Sequence, residues 1–445
     1  MALKVTLALA LAAMLSGAPG AAAAQDPPPD RELPDYDGRG EEPTTAGEVA
    51  LWVPRVLLSP LYLVSEFVLR RPLGYLVSAA EESDLPALLV DFFTFGPEQK
   101  AGIIPTALFD FGFRPSVGIY GFGDDFIVDD NDLRFYAAYG GESWYALSVT
   151  NRINTASDVS SLSLNGSLEN RPDFIFHGLG YDSHDRNQSR YGALRRGVSL
   201  EFESALWRAS SVLLRSRFTD VEFSGEGCCS EPGIDARVDQ GAFEAPPGRE
   251  GYTVYSNRVE FAFDTREERP APGTGVRLEL EGEHAFDTRD LERRWVQYGG
   301  TLGLYWDPPG HNRTLSLSLT ALFADPLGDA PVPFTELITL GGTRLMRGFL
   351  EGRLVGRSAA VATFEYRWPL WIWLDGSFHF AVGNVFDEHL SGFATRRLRM
   401  STGIGLRAVQ ARDHSFDVLI GVGSEPFEDL ESTKLRFTIG ARRGF

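Results

Sequence analysis

A two-residue rhythm constrains this chain more than any other feature. Leu315, Leu317, Leu319, Ala321 and Phe323 alternate with Thr314, Ser316, Ser318 and Thr320. Val276, Leu278 and Leu280 alternate with Arg277, Glu279 and Glu281, and Ala360, Ala362, Phe364, Tyr366 and Trp368 with Val361, Thr363, Glu365 and Arg367. Leu435, Phe437, Ile439 and Ala441 alternate with Arg436, Thr438, Gly440 and Arg442. A period of two lays apolar side chains on one strand face and polar ones on the other. A soluble sandwich turns the polar face to water; a membrane barrel turns the apolar face to lipid and the polar face to its lumen. The barrel is favoured because such segments are long enough to cross a bilayer, where about 9–11 tilted residues suffice. Aromatics near strand ends, such as Trp306, Tyr366, Trp368, Trp371 and Trp373, fit interface girdles.

The fold class expected is therefore all-β: a sixteen-stranded antiparallel transmembrane β-barrel after a short N-terminal helical segment. Strands are expected near 113–123, 132–140, 143–152, 158–168, 173–180, 189–205, 207–223, 251–264, 274–285, 293–306, 312–324, 358–368, 374–383, 398–409, 413–422 and 433–443. Short connections hold Gly140-Gly141, Arg171-Pro172, Pro308-Pro309-Gly310 and Pro369, while 224–250, 325–357 and 384–395 are long. Short periplasmic turns alternating with long external loops would put both barrel termini in the periplasm.

The leading residues set the compartment. Lys4, the apolar run Val5 to Leu15 and the ending Ala22-Ala23-Ala24 form a secretory signal peptide, 1–24. Its removal takes one lysine and no acid, so the net charge moves from −19 to −20. Residues 25–49 read as an acidic, proline-rich linker. Residues 50–103 carry Trp52, Leu57, Leu58, Leu61 and Phe67, broken by Pro54, Pro60 and Pro72 and edged by Arg70 and Arg71. They suit short helices lying in a membrane interface or packed on a core; the interface is preferred because no soluble core follows. The barrel is expected over 104–445.

Composition removes several functions. The acidic balance excludes nucleic acid as a partner. No Gly-x-Ser-x-Gly elbow and no His-Glu-x-x-His occur, and the seven His are scattered. No catalytic group, metal or cofactor is expected, and the chain does not read as an enzyme. Asp182, His184 and Asp185 fit a solvated loop better than a cation site. Gly403-Ile404-Gly405 lies inside a strand pattern and is no dinucleotide fingerprint. Cys228-Cys229 leaves two alternatives, a disulfide between neighbours or a crosslink between chains.

The connection 325–357 contains Gly341-Gly342-Thr343-Arg344-Leu345-Met346-Arg347-Gly348-Phe349. This resembles the sixth-loop Arg-Gly-Phe motif of the Omp85 superfamily, the barrel-assembly and translocation proteins of outer membranes. Asp264-Thr265-Arg266 with Pro272 and Gly275 resembles a hairpin of that family, and Gly383-Asn384-Val385-Phe386-Asp387 its strand-13 exit. The terminal Phe445 resembles an outer-membrane sorting signal. The resemblance covers about 104–445 and points to a branch without periplasmic POTRA repeats. It departs where Ala381 stands for a customary Asp and Arg443 for an aromatic. It implies loop 6 folded into the lumen, with Arg347, Gly348 and Phe349 at its tip and Glu365 as partner. By alternation Glu365 points inward, where a guanidinium–carboxylate pair would be directional; an exposed Arg347 is the alternative.

The resemblance further implies a weak seam between first and last strands. Gly118, Gly121 and Gly123 are placed on the first, Gly440 and Gly444 on the last; they would either weaken those strands or fit curvature. Expected partners are outer-membrane lipids, outer-membrane protein or lipid clients, and a second copy of the chain in a homo-oligomer. The expected function is help in inserting or translocating outer-membrane components. A passive solute or ion channel and a structural membrane-remodelling barrel are the alternatives.

Overall fold

A computed structural model describes residues 92–443, apart from 156–158, 226, 267–272, 308–312, 344, 372–373, 409–413 and 430. The expected signal peptide, the linker, residues 50–91, Gly444 and Phe445 lie outside the described residues. The described chain forms sixteen long antiparallel strands closed into a barrel. They are β1 Ala101–Asp110, β2 Ser116–Gly123, β3 Asn131–Tyr139, β4 Tyr145–Asn154, β5 Ser160–Phe176, β6 Ser189–Ala205, β7 Ser211–Ser224 and β8 Tyr252–Asp264. There follow β9 Gly275–Asp287, β10 Arg294–Trp306, β11 Thr314–Pro326, β12 Ser358–Trp371, β13 Leu374–Phe386, β14 Arg399–Ala408, β15 His414–Gly423 and β16 Arg436–Arg443. Each pairs with its sequence neighbours, and β16 returns to β1. No described helix is long and apolar enough to cross a membrane.

The strand number matches expectation, but two members differ. The first strand is Ala101–Asp110, ahead of 113–123. Its Ile103-Ile104 and Ala107-Leu108-Phe109 runs break the alternation that marks other strands. Pro105 is tolerated because it lies between the two short pairings on that side of β1, Thr94–Phe95 with Ala101–Gly102 and β16 with Leu108–Asp110, and so occupies a locally unpaired edge position. The expected strands 158–168 and 173–180 are one strand, β5, with a bulge between Arg171 and Phe174. Pro172 sits in that bulge, where a missing N–H costs no ladder bond. The buried Asp173 anchors it, accepting from the Arg114 backbone N–H at 2.8 Å and from Arg171 Nε at 2.9 Å. Two consequences follow. Gly140-Gly141, between β3 and β4, belongs to the external side, and Arg171-Pro172 is not a turn.

Side chains sort as the rhythm requires. Ile119, Val198, Leu200, Val259, Leu280, Leu302, Leu317 and Leu319 are exposed outward, where lipid would cover them. Aromatic pairs stack near both rims, Trp207 on Phe263 at 5.8 Å and Tyr298 on Phe323 at 5.2 Å. The molecule's core lies inside the external half of the lumen. Phe176, Tyr191, Trp295 and Val385, from the external ends of four strands, pack there with Phe334, Leu340, Met346, Phe349 and Leu354 from loop 6. Within that loop Ile338–Leu340 and Leu354–Gly356 form a small antiparallel hairpin.

The outer mouth is closed by polar contacts between loops. Arg353 of loop 6 donates to Glu425 Oε1 at 2.9 Å and to Ser183 O at 3.1 Å. Arg399 at the start of β14 donates to Glu425 and, at 2.5 Å, to Ser183 O. Asp185 N–H donates to Glu425 Oε1 at 2.7 Å. Of the segment carrying Asp182, His184 and Asp185, Ser183 is buried and Asp185 is bonded to Glu425 of the 424–435 loop, while Asp182 is exposed to solvent. No group of His, Cys, Asp and Glu among the described residues could hold a metal ion. Cys228 and Cys229 are joined in a disulfide between neighbours.

Candidate functional site: the loop 6 tip and the seam

The loop 6 tip reaches the lumen wall at three points. Arg347 Nη2 donates to Glu365 Oε2 at 3.1 Å, and Arg367 Nε lies 3.1 Å from Glu365 Oε1. Glu365 faces inward because β12 alternates: its neighbour Phe364 is exposed to the outside. One carboxylate between two guanidiniums gives Arg347 a directional anchor. Ala381, opposite Thr363 on β13, is fully buried and supplies no second carboxylate.

Gly348 is the second point. Its N–H donates to Ser401 Oγ at 2.7 Å. A Cβ here would meet the Val422 carbonyl oxygen at 2.2 Å, so only glycine fits this approach of loop to wall. Phe349 is the third point, buried against Gly423, where an added Cβ would lie 2.4 Å from its ring.

The seam lies beside this tip. Thr438, Ile439 and Gly440 of β16 pair with Asp110, Phe109 and Leu108 of β1; these three pairs are the register among the described residues, and one further backbone hydrogen bond, Phe111 N–H to the Phe437 carbonyl at 2.7 Å, lies just past the end of β1. Every other neighbouring pair of barrel strands has at least seven. Beyond Gly440, β16 remains on β15 as far as Arg443 while β1 runs on without it. The expected seam glycines are redistributed by this geometry. Gly118, Gly121 and Gly123 lie on β2, between β1 and β3, and are not at the seam. The misplacement follows from the missed first strand. Gly440 is at the seam, but a Cβ there would meet Ala107 O at 2.4 Å, so its bareness permits closure rather than loosening the strand.

Sequence reasoning missed the residues that close the seam. Asp110 Oδ1 accepts from Thr438 Oγ1 at 2.7 Å and Asp110 Oδ2 from Arg436 Nη2 at 3.0 Å. Arg436 and Thr438 were legible as the polar face of the last strand, but their partner required the true first strand. The periplasmic turn after β8 is also built from side chains. Arg266 donates to Asp264 through Nε at 2.9 Å and Nη2 at 2.7 Å, and its guanidinium lies 3.6 Å from the Tyr305 ring centre.

Sixteen antiparallel strands, an apolar outer face, and a loop seated inside the lumen define a transmembrane β-barrel of the outer-membrane kind. The sequence matches the Omp85 superfamily domain over residues 130–442, and the chain belongs to that superfamily, whose barrels reside in bacterial outer membranes. Among solved structures it is similar to BamA from Haemophilus ducreyi lacking POTRA domains 1–3, with a TM-score of 0.54 and 14% identity over 77% of this chain and 70% of that one. CdiB from Acinetobacter baumannii aligns at 10% identity with a TM-score of 0.48, over 78% of this chain and 60% of that one. No curated protein matches the sequence.

Proposed function

We propose that this barrel assists the insertion or translocation of outer-membrane proteins or lipids by parting β1 from β16, with loop 6 seated in the lumen when the barrel is at rest. The three-pair seam carries the reading. Strand pairing is the bond a β-client must displace or borrow, and here it is shortest by a wide margin. The apolar packing in the external half of the lumen speaks for a plug and against a steady open pore. Membership in a superfamily of transport and insertion barrels points the same way, and we assign no enzymatic reaction.

Deleting the gene and taking an inventory of outer-membrane proteins and lipids tests this. The expected result is selective depletion of a set of barrel proteins or of a lipid class. An unchanged inventory overturns the proposal.

A further inference from the structure

Arg436 has two jobs in one guanidinium. Nε and Nη2 donate to Asp110 Oδ1 and Oδ2 at 3.3 and 3.0 Å, across the seam onto β1. Nη1 turns the other way, donating to the carbonyl oxygens of Gly342, of Arg347 at 2.8 Å and of Phe349 at 3.4 Å, all in loop 6. Arg436, Asp110 and Thr438 are all buried. The same planar group therefore holds β16 to β1 and clamps the Arg347-Gly348-Phe349 tip.

We infer that Arg436 is a positioning residue that makes seating of loop 6 and closure of the seam a single event. The physical reason is the cost of a buried charge that loses its partners. If β1 leaves while the loop stays, Asp110 loses its guanidinium. If the loop leaves while the seam stays shut, Nη1 loses three carbonyls and remains enclosed. Both half-states leave a buried group underbonded. The concerted states, closed with the loop seated and open with it withdrawn, avoid this. A client or lipid that draws loop 6 away from Glu365 would thereby release the seam, although Glu365 lies on β12, remote from β1 along the sheet order. The inference deepens the lateral-opening proposal and rests on it for its use, but not for its test.

A double-mutant cycle on the purified full chain in lipid vesicles reads the coupling, with hydrogen exchange of the Phe109, Phe111 and Ile439 amides, which face across the seam, as the signal. Glu365→Gln unseats the Arg347 anchor without touching the seam. In the Arg436 protein it should speed exchange of those amides by about threefold or more. In an Arg436→Lys background, which keeps a cation beside Asp110 but loses the fork onto loop 6, Glu365→Gln should add little. Retention of the heat-modifiable compact band on gels shows that each variant is folded. Equal acceleration in both backgrounds, or none in either, overturns the inference. An unchanged outer membrane in the deletion strain would remove the proposed function and leave this coupling to stand on its own measurement.

Discussion

At the scale of single residues, the loop 6 tip shows which chemistry a sequence displays and which it hides. Arg347 and Glu365 could be paired from the sequence because the Arg-Gly-Phe motif resembles the Omp85 loop, and the clean alternation of β12 turns Glu365 inward. Ser401 and Val422, which receive Gly348, could not, since their approach depends on how far the loop descends. Arg436 and Asp110 were hidden for a different reason. They are 326 positions apart, and only closure of the whole sheet brings them together. Gly348→Ala should lower barrel stability by about 1–3 kcal/mol, the usual cost of forcing a methyl into packed space. A urea titration in lipid vesicles measures it, with protease cleavage of loop 6 as a second reading. Wild-type stability together with wild-type loop protection would show that the close approach to Val422 does not matter.

Among the elements, the strands were legible where alternation is strict and blurred where it is not. β9, β11, β12 and β16 announce themselves residue by residue. β1 hides behind consecutive apolar residues and a proline, and β5 was cut in two because Pro172 looks like a turn when it is a bulge. The external loops carry a different lesson, because their packing creates a pH response. His177, just after β5, is fully buried, and burial lowers its pKa from 6.5 to about 3. It faces Arg353, which lowers it further, and Asp185 and Glu425, which oppose that. Burial pushes the Glu425 carboxyl up, but Arg353 and Arg399 outweigh it and hold it below its usual value. Both folded pKa values are depressed, so both contributions are present at neutral pH and lost on acidification. That of His177 goes as pH falls from 6.5 towards 3, and that of Glu425 goes below 4.5. Protease cleavage of 177–188 and 424–435, normalised to an unfolded substrate, should rise between pH 7.5 and 5, by at most about tenfold per pH unit. His177→Gln should flatten the response in that window. A flat wild-type profile would contradict the account.

For the molecule as a whole, sixteen strands set a closed barrel whose bonding is uneven. Long, fully paired strands such as β5, β6 and β7 form one wall. The seam between β16 and β1 is joined by three register pairs, the hydrogen bond from Phe111 N–H to the Phe437 carbonyl and one side-chain network. The sequence could give most strands, because alternation is a local pattern repeated, but the total of sixteen agreed because the missed first strand offset the division of β5. It could not give the length of the closing register, which is set by how far β1 and β16 run alongside each other once the sheet closes. The central claim is that function requires β1 and β16 to part. Cysteines replacing Phe109 and Ile439 test it most directly, because these are register partners on the lipid-facing side, away from Arg436. Opposed antiparallel residues have Cα atoms about 5.5 Å apart or less, within disulfide reach. In a deletion strain carrying this double variant, the oxidised protein should fail to restore the outer-membrane inventory, and reductant should restore it. Full restoration by the oxidised, demonstrably crosslinked protein would contradict the account.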